Sequence, residues 1–188
     1  MQITPTALPG VLEITPARHG DHRGFFSETW NRAALAEAGI TIDFCQDNHS
    51  LSAERHTLRG LHFQAPPRAQ DKLVRVIAGT VLDVAVDIRV GAATFGQWVA
   101  VPLSADAGNQ LLIPRGFAHG FLTLTPDTQV IYKCSDTYAP ETEGAIRWDD
   151  PTLAIDWGVE ADDLTLSDKD RIAPLLSEIT SPFRETAS

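Results

Sequence analysis

Histidine and carboxylate side chains occupy strand-like segments in which alternate residues share a face. In the segment 59–64, His62 and Gln64 point to one side and the apolar residues to the other. Asp83 lies opposite a wholly apolar set in a second segment, and His119 lies beside aromatic and hydroxyl groups in a third. Imidazole and carboxylate groups are common general acids and bases. The alternation fits either a wet outer face or the lining of a polar cavity, and it does not separate the two.

The run Pro114–His119 resembles the second half of the cupin signature, Pro-x-Gly-x-x-His. In metal-binding cupins the first half supplies His-x-His and then a Glu ahead of a Gly. Here the second His is replaced by Gln64, and Lys72 stands where the Glu is expected. An amide and an ammonium group do not suit a divalent cation, so the sequence predicts no functional metal.

Composition restricts the class of protein. Fifteen Lys and Arg against 25 Asp and Glu give a net charge of −10 over 188 residues, which disfavours nucleic acid and anionic membranes as partners. An anionic ligand must therefore meet a local cluster of cations. Two cysteines, Cys45 and Cys134, are too few for a disulfide scaffold or a cysteine zinc site. No apolar run approaches the ~18 residues of a membrane span, so we expect a soluble, cytoplasmic protein.

Short runs rich in Val, Ile, Leu, Phe and Thr recur between turn residues, a pattern typical of an antiparallel sandwich or barrel. The predicted strands are Val11–Thr15, Phe25–Trp30, Phe44–Ser50, Arg59–Gln64, Lys72–Ala78, Thr80–Ile88, Gly96–Val101, Gln110–Ile113, Ala118–Leu124, Val130–Asp136 and Ala145–Trp148. Helices are predicted over Arg32–Ala38, capped by Asn31, and from about Lys169 to Glu178. No linker interrupts the chain, so we expect one domain over residues 1–188 with a weakly ordered tail after Pro182.

Taken together, the motifs resemble one family, the dTDP-4-dehydrorhamnose 3,5-epimerases. They lie in order at Asp21–Glu28, Gln46–Ser50, Leu58–Gln64, Gln70–Val76, Asp83–Arg89, Ile113–Phe121, Glu143–Gly144, Trp148–Pro151 and Leu166–Asp170. The resemblance implies a mainly β, double-stranded β-helix (jelly-roll cupin) barrel with short flanking helices. It also implies inversion of C3 and C5 in a dTDP-linked 4-keto-6-deoxyhexose, to give dTDP-4-dehydro-L-rhamnose. No cofactor is expected, because the C4 ketone is the electron sink.

Each inversion removes a proton next to the ketone and returns one to the other face, so the site needs a base, an acid and an enolate stabiliser. By resemblance His62 is the base and Tyr132 the acid. Lys72 supplies positive charge near the C4 oxygen, and Asp83 holds Lys72 or His119, or forms a structural salt bridge. Asp170 matches the carboxylate partner of His62. However, Ser167-Asp168-Lys169-Asp170 is also a capping box, which would use Asp170 locally.

The resemblance also implies a set of substrate-binding residues. Arg59 and Lys169 suit a diphosphate, and His119 suits the ketone or the diphosphate. Tyr138 would stack on thymine, with Glu143 near the base or ribose. The remaining nucleotide or sugar contacts within one chain are Gln46, Asp47, Asn48 and Lys72. By resemblance, Arg23, Phe25 and Glu28 reach the nucleotide of the neighbouring subunit through an exchanged N-terminal strand. This implies a homodimer.

Three alternatives remain open at the level of sequence. An epimerase acting at one centre, or a ketoisomerase, would use the same fold and the same residues. A catalytically silent sugar-nucleotide binding module would be expected to lack His62 or Tyr132, and both are present. A metal-dependent cupin dioxygenase is disfavoured by Gln64 and Lys72. Fold alone does not separate these readings, because jelly rolls host many chemistries.

Overall fold

A computed structural model of the chain describes residues 1–185, in which 13 strands and two short helices follow one another along the sequence. The strands are β1 (Gln2–Pro5), β2 (Leu12–Thr15), β3 (Arg18–Asp21), β4 (Gly24–Ser27), β5 (Gln46–Ser52), β6 (Leu58–Gln64), β7 (Lys72–Ala78), β8 (Thr80–Asp87), β9 (Trp98–Ser104), β10 (Gln110–Ile113), β11 (Phe117–Thr123), β12 (Thr128–Cys134) and β13 (Glu143–Ala145). The helices are α1 (Arg32–Glu37) and α2 (Asp168–Arg171). Neither helix within the described chain is long and apolar enough to cross a membrane.

Two antiparallel sheets form the barrel. One has the order β1-β2-β10-β7-β12-β5 and the other β13-β6-β11-β8-β9. The frequent crossing from one sheet to the other along the chain is the jelly-roll arrangement. The expected mainly β, cupin-like fold is therefore confirmed. Strands β3 and β4 form a separate hairpin, joined to neither large sheet, which we call the arm (Arg18–Ser27).

Strand alternation sorts the side chains into layers. On β8, Val81 and Ala85 pack inside the barrel with residues of the other sheet such as Val74. Val84 and Val86, on the opposite face of β8, pack outside the sheet under the C-terminal segment. The polar residues that alternate with the outer apolar set therefore point into the barrel. The sequence alone does not decide whether these polar residues face solvent or a cavity. The structure shows that they line the inside of the barrel.

Strands β6 and β11 approach each other closely at Gly60. Gly60 has φ +128°, and a Cβ there would lie 2.4 Å from Gly120 Cα and 2.8 Å from the His119 carbonyl oxygen. Only glycine therefore fits this contact without displacing backbone. The contact supports the register in which His62 and His119 stand opposite each other on neighbouring strands.

The N-terminal segments differ from the sequence expectation. Of the predicted strand over residues 25–30, only residues 25–27 are in a strand, β4 of the arm, which ends at Ser27. Strands β1 and β3 have no counterpart among the predicted strands. Both depend on pairing with distant or adjacent strands rather than on a strong apolar pattern, which short polar segments lack. By contrast, α1 begins where predicted, with Asn31 Oδ1 accepting from the amides of Ala33 and Ala34 at 2.9 and 3.2 Å.

The C-terminal region also departs from the prediction. The second helix stops after Arg171 and a 3-10 turn follows at Leu176–Glu178, because Pro174 provides no amide hydrogen and disfavours helix in the residue before it. Phe183 is buried against Phe63, and Arg184 bridges to Val90. Packing thus continues past residue 182, where a weakly ordered tail was expected. Residues 186–188 lie outside the described chain.

Candidate active site

Two adjoining hollows open at one end of the barrel, with volumes of about 500 and 360 Å³. They share a wall made of His62, Lys72 and Tyr132. His62 comes from β6 of the five-stranded sheet, whereas Lys72 and Tyr132 come from β7 and β12 of the six-stranded sheet. The larger hollow also contains predicted site residues Arg59, His119, Lys169 and Asp170, and the smaller one contains Gln46, Asn48, Tyr138 and Glu143.

His62 is bound to the buried carboxylate of Asp170, with 2.5 Å between His62 Nε2 and Asp170 Oδ1. Burial alone would raise the pKa of Asp170, but the hydrogen bond and charge of His62 hold it below its ordinary value. An ionised carboxylate only accepts, so Nε2 carries the hydrogen and Nδ1 is left as the proton acceptor in a neutral imidazole. Since 30% of the His62 side chain is exposed against 5% of Asp170, the imidazole is the accessible member of the pair.

The helix-capping role of Asp170 coexists with this pairing. Ser167 Oγ donates to Asp170 Oδ2 at 2.8 Å and accepts from the Asp170 amide at 3.1 Å. One carboxylate oxygen therefore faces His62 while the other is held by the residue that caps α2. The two alternatives predicted from sequence are both realised by the same side chain.

His119 and Asp83 form a second, deeper pair. Nε2 of His119 lies 3.0 and 3.1 Å from the two Asp83 carboxylate oxygens, and Asp83 has no exposed surface. Of the two, His119 is the one that lines the larger hollow. The sequence leaves Lys72 and His119 as possible partners of Asp83, and the structure shows a direct contact with His119. Asp83 itself lies behind the cavity wall.

Lys72 contributes a cation to the wall shared by the two hollows. Burial lowers the pKa of Lys72, and the charges of Asp83 and Glu143 oppose that change only partly. Within residues 1–185 its ammonium group has no hydrogen-bond or ion-pair partner. Its donors are thus available to an oxygen of a bound molecule.

Tyr132 lies across the barrel from His62. Burial raises the pKa of its hydroxyl, and the charge of Arg59 and the side chain of Asn48 oppose that change only partly. The phenol therefore carries its proton at neutral pH and is able to donate it. Its neighbour on the same strand face, Cys134, is buried and has a pKa raised to about 11, so it is an inert thiol at neutral pH.

Three side chains in series connect the two hollows: Lys169 lines the larger one, and Glu143 and Tyr138 line the smaller one. Lys169 Nζ lies 2.5 Å from Glu143 Oε1, and the Tyr138 hydroxyl donates to Glu143 Oε2 at 3.1 Å. Although burial raises the pKa of Glu143, these two hydrogen bonds hold it below its ordinary value. Arg59, which is exposed, lines the larger hollow and donates to Ser52 Oγ and the Leu51 carbonyl, each at 3.2 Å.

Four predicted binding residues do not reach either hollow. Asp47 points to the opposite face of β5 and pairs with Lys133 at 2.9 Å, because alternate strand residues face opposite ways. The other three residues lie in the arm or just after it. In the arm, Arg23 pairs with Asp21 at 2.6 Å and Phe25 is 63% exposed. Glu28, which follows the arm, accepts a hydrogen bond from Asn31. These three remain remote from the cavities of their own chain.

Some contributing residues are not identified by the sequence reasoning. Ser50 lines the larger hollow beside Tyr132, and Ser167 holds Asp170. The available signal for Ser50 is its i, i+2 spacing from Asn48 on β5. Gln64 stands out in the sequence only as a replaced metal ligand, yet its amide binds the backbone of the loop that carries Tyr138. Within the described residues, no three His, Cys, Asp or Glu side chains are grouped as a metal site.

Comparison with known proteins identifies the family. The sequence model of dTDP-4-dehydrorhamnose 3,5-epimerase matches residues 5–178. The chain belongs to this family of epimerases. A dTDP-4-dehydrorhamnose 3,5-epimerase from Pseudomonas aeruginosa is 51% identical over 172 residues, covering 91% of this chain and 93% of the relative.

Solved structures of epimerases have the same fold as this chain. The dTDP-6-deoxy-D-glucose-3,5-epimerase RmlC of Legionella pneumophila, in complex with dTDP-4-keto-L-rhamnose, superposes with a TM-score of 0.94 at 46% identity over 99% of both chains. A double variant of ChmJ, a 3'-monoepimerase from Streptomyces bikiniensis in complex with dTDP, has a TM-score of 0.85 and 35% identity over 93% of this chain and 87% of that chain. Its substituted histidine and tyrosine are 70 residues apart, the separation of His62 and Tyr132.

Proposed function

We propose that this epimerase inverts C3 and C5 of dTDP-4-dehydro-6-deoxy-D-glucose to give dTDP-4-dehydro-L-rhamnose, a step of dTDP-L-rhamnose biosynthesis, with His62 as base and Tyr132 as acid. One observation carries the assignment of roles. The His62–Asp170 pair and the protonated Tyr132 line the same cavity from opposite sheets, with Lys72 in the wall between the two hollows. A base and an acid on opposite sides are what inversion at a carbon requires.

The reaction is a pair of proton transfers at each centre. Nδ1 of His62 takes the proton from the carbon next to the C4 ketone, and the electron pair of the broken C–H bond moves to the C4 oxygen. The enolate oxygen is stabilised by the Lys72 ammonium. Tyr132 then gives its proton to the other face of the carbon, and the carbonyl reforms. Solvent returns the proton to Tyr132 and accepts the one held by His62.

Nucleotide binding uses the other side chains of the two hollows. Arg59 and Lys169 offer donors to the diphosphate, and Lys169 exchanges its contact with Glu143 for a phosphate oxygen. Tyr138 provides an aromatic face for thymine at the mouth of the smaller hollow. These cations offset locally the net charge of −10 of the whole chain.

The arm supports a homodimer in which each subunit completes the site of the other. It is joined to neither large sheet, and it exposes Phe25 by 63% and Phe26 by 70%. Adjacent exposed aromatic rings are typical of a surface covered by a partner. In the dimer, Arg23, Phe25 and Glu28 would contact the nucleotide held by the neighbouring subunit. We also place the enzyme in the cytoplasm, where its two free thiols are compatible with reducing conditions.

An epimerase acting at one centre is the second candidate, because ChmJ has the same fold. The test is to incubate the protein with dTDP-4-keto-6-deoxyglucose and to identify the sugar product by proton NMR. Inversion at both centres supports the proposal. Inversion at C3 alone, or unchanged substrate in the presence of folded protein that binds dTDP, would contradict it.

A further inference from the structure

The loop that carries Tyr138 leaves the tyrosine ring exposed. Residues 135–139 connect β12 to the 3-10 turn at Pro140–Thr142, and Tyr138 is 56% exposed. Arg68 binds the side chains of Asp136 and Thr137 in this loop, but it does not contact Tyr138 by a hydrogen bond or ion pair within residues 1–185. The only side-chain hydrogen bond of Tyr138 among residues 1–185 is the one from its hydroxyl to Glu143. The position of the ring therefore depends on what holds the loop backbone.

Three glutamine side chains hold that backbone. Gln70 Nε2 donates to the Asp136 carbonyl at 2.8 Å, and Gln46 Oε1 accepts from the Tyr138 amide at 2.9 Å. Gln64 binds on both sides of Tyr138: its Nε2 donates to the Thr137 carbonyl at 3.1 Å, and its Oε1 accepts from the Ala139 amide at 3.0 Å. The side chain of Gln64 thus brackets the peptide units on either side of the tyrosine.

Gln64 has no N–H left to donate to a ligand. Its second N–H donates to the Arg68 carbonyl at 2.5 Å, and the residue is only 5% exposed. Gln64 also lies two residues from His62 on the same face of β6, so the strand that carries the base also fixes the loop that carries Tyr138. A buried amide satisfied in this way is expected to lock the loop in one position, since misplacing it would leave buried polar groups unpaired.

We propose that Gln64 is a positioning residue that sets nucleotide affinity by fixing the Tyr138 ring, without taking part in the proton transfers. This inference rests on the proposed function, in which Tyr138 stacks on thymine. It assigns a task to the residue that replaces a metal ligand of other cupins. It also predicts that the affinity for dTDP and the rate of proton transfer respond separately to a change at Gln64.

The first test compares Gln64→Met with the unchanged protein. Met is close to Gln in size but has no amide, so the loop loses its two hydrogen bonds to Gln64, at Thr137 and Ala139, and the Arg68 carbonyl loses a third. The Kd for dTDP, measured by calorimetry, is expected to rise about tenfold, and KM with it, while kcat stays within about threefold. A normal Kd for dTDP in the folded variant, or a loss confined to kcat, would overturn the proposal.

A second variant keeps the proposal testable if Gln64→Met does not fold. Gln64→Glu keeps an acceptor for the Ala139 amide, but an ionised carboxylate would face the Arg68 and Thr137 carbonyl oxygens. Its dTDP affinity, relative to the unchanged protein at the same pH, is expected to be lowest at high pH and to recover as the Glu is protonated. The matched control is Gln97→Glu, at an exposed site, which should leave affinity unchanged at every pH. A pH-independent affinity in Gln64→Glu equal to that of the control would contradict the proposal.

A double-variant cycle separates this inference from the function on which it rests. If Gln64 acts through Tyr138, then Gln64→Met should weaken dTDP binding less than about twofold in a Tyr138→Ala background. Independent, additive effects of the two changes would show that Gln64 does not act through the ring. If Tyr138→Ala itself leaves the Kd for dTDP unchanged, the stacking role of Tyr138 fails, whatever Gln64 does.

Discussion

At the residue scale, the Asp170 carboxylate divides its two oxygens between His62 and Ser167. The second contact fixes the direction of the first, because Ser167 is itself held as the cap of α2. The imidazole is thereby oriented from the protein side and left open to the cavity. The carboxylate also stabilises the imidazolium that forms when His62 takes a proton.

Replacing Asp170 by Asn tests the orientation and charge supplied to His62. The amide keeps the size of the side chain but removes the negative charge, so formation of the imidazolium is less favourable. We expect proton exchange at the substrate carbons to fall roughly 100-fold or more. The control is Ser167→Ala, which should cost about 1 kcal/mol of stability with a smaller loss of exchange. Exchange at the normal rate in Asp170→Asn would remove the carboxylate from the mechanism.

Tyr132→Phe separates the two proton transfers. The ring still fills its place on β12, but no proton can be donated from that side of the cavity. We therefore expect solvent exchange to continue with retention, while inversion falls by roughly 100-fold. His62→Ala is the matched comparison and should abolish exchange at both C3 and C5. Full epimerisation by Tyr132→Phe, measured by NMR of the product, would exclude Tyr132 as the acid.

Residue identities at the site are largely predictable from the sequence, but the placement of individual side chains is only partly so. Periodicity alone puts His62 and Gln64 on one face, and the family motifs point to Lys72 and Tyr132, which the structure brings together. The remote position of Asp47 also follows from periodicity, since it alternates with its neighbours on β5. The loop contacts of Gln64 depend on how the chain continues after the last residue of β12, which local sequence does not specify.

At the scale of elements, the close crossing of β6 and β11 is a requirement of the site. Gly60→Ala would place a methyl group 2.4 Å from Gly120 Cα. We expect the free energy of unfolding to fall by about 2 kcal/mol or more, because backbone must move. The control is Gly39→Ala, which has φ +83° but no atom within 4 Å of the added methyl group. An equal loss in the two variants, measured by urea unfolding, would show that the strand contact contributes nothing.

An ion pair between the buried carboxylate of Asp71 and the half-exposed Arg115 secures the start of β7. Asp71, next to Lys72, accepts from Arg115 Nη2 at 2.7 Å and from Ser135 Oγ at 2.7 Å. Burial raises the pKa of Asp71, but these contacts hold it below its ordinary value. A carboxyl with a depressed pKa in the folded state stabilises the fold above its unfolded pKa, and this contribution disappears as the pH falls through the folded value.

Asp71→Asn should therefore destabilise the protein in a pH-dependent way. At pH 7 we expect a loss of about 2 kcal/mol, the range for hydrogen bonds to a charged group. The difference from the unchanged protein should shrink as the pH falls below about 4, because Asp71 is then increasingly protonated, first in the unfolded and then in the folded state. Urea unfolding at several pH values measures this. A difference that stays constant down to about pH 2 would show that the charge of Asp71 is not what stabilises the fold.

The elements themselves show which local signals are reliable. Strands β7, β8 and β10 follow from dense runs of Val, Ile and Leu and are predicted nearly to their ends. Strands β1 and β3 are not, because short four-residue strands with few apolar residues carry little periodicity and form only through pairing. The shortening of α2 is visible in principle at Pro174, but the capping box and charged residues before it favour a longer helix.

At the scale of the whole molecule, an acidic chain concentrates cations around one opening. Arg59, Lys72 and Lys169 line the larger hollow, while the net charge is −10. The arm contributes no side chain to this opening in its own chain, which is why we propose that a second copy completes the site. No pattern within one chain specifies such a contact, and the exposed Phe25 and Phe26 are what indicates it.

The most direct measurement is proton NMR of the purified enzyme with dTDP-4-keto-6-deoxyglucose in deuterated water, without added metal. We expect solvent deuterium at both C3 and C5, together with inversion at both centres. Deuterium at only one of these positions would show that the enzyme acts at a single centre. No deuterium at either position, with dTDP bound and the protein folded, would contradict the assignment of His62 as the base that starts the reaction.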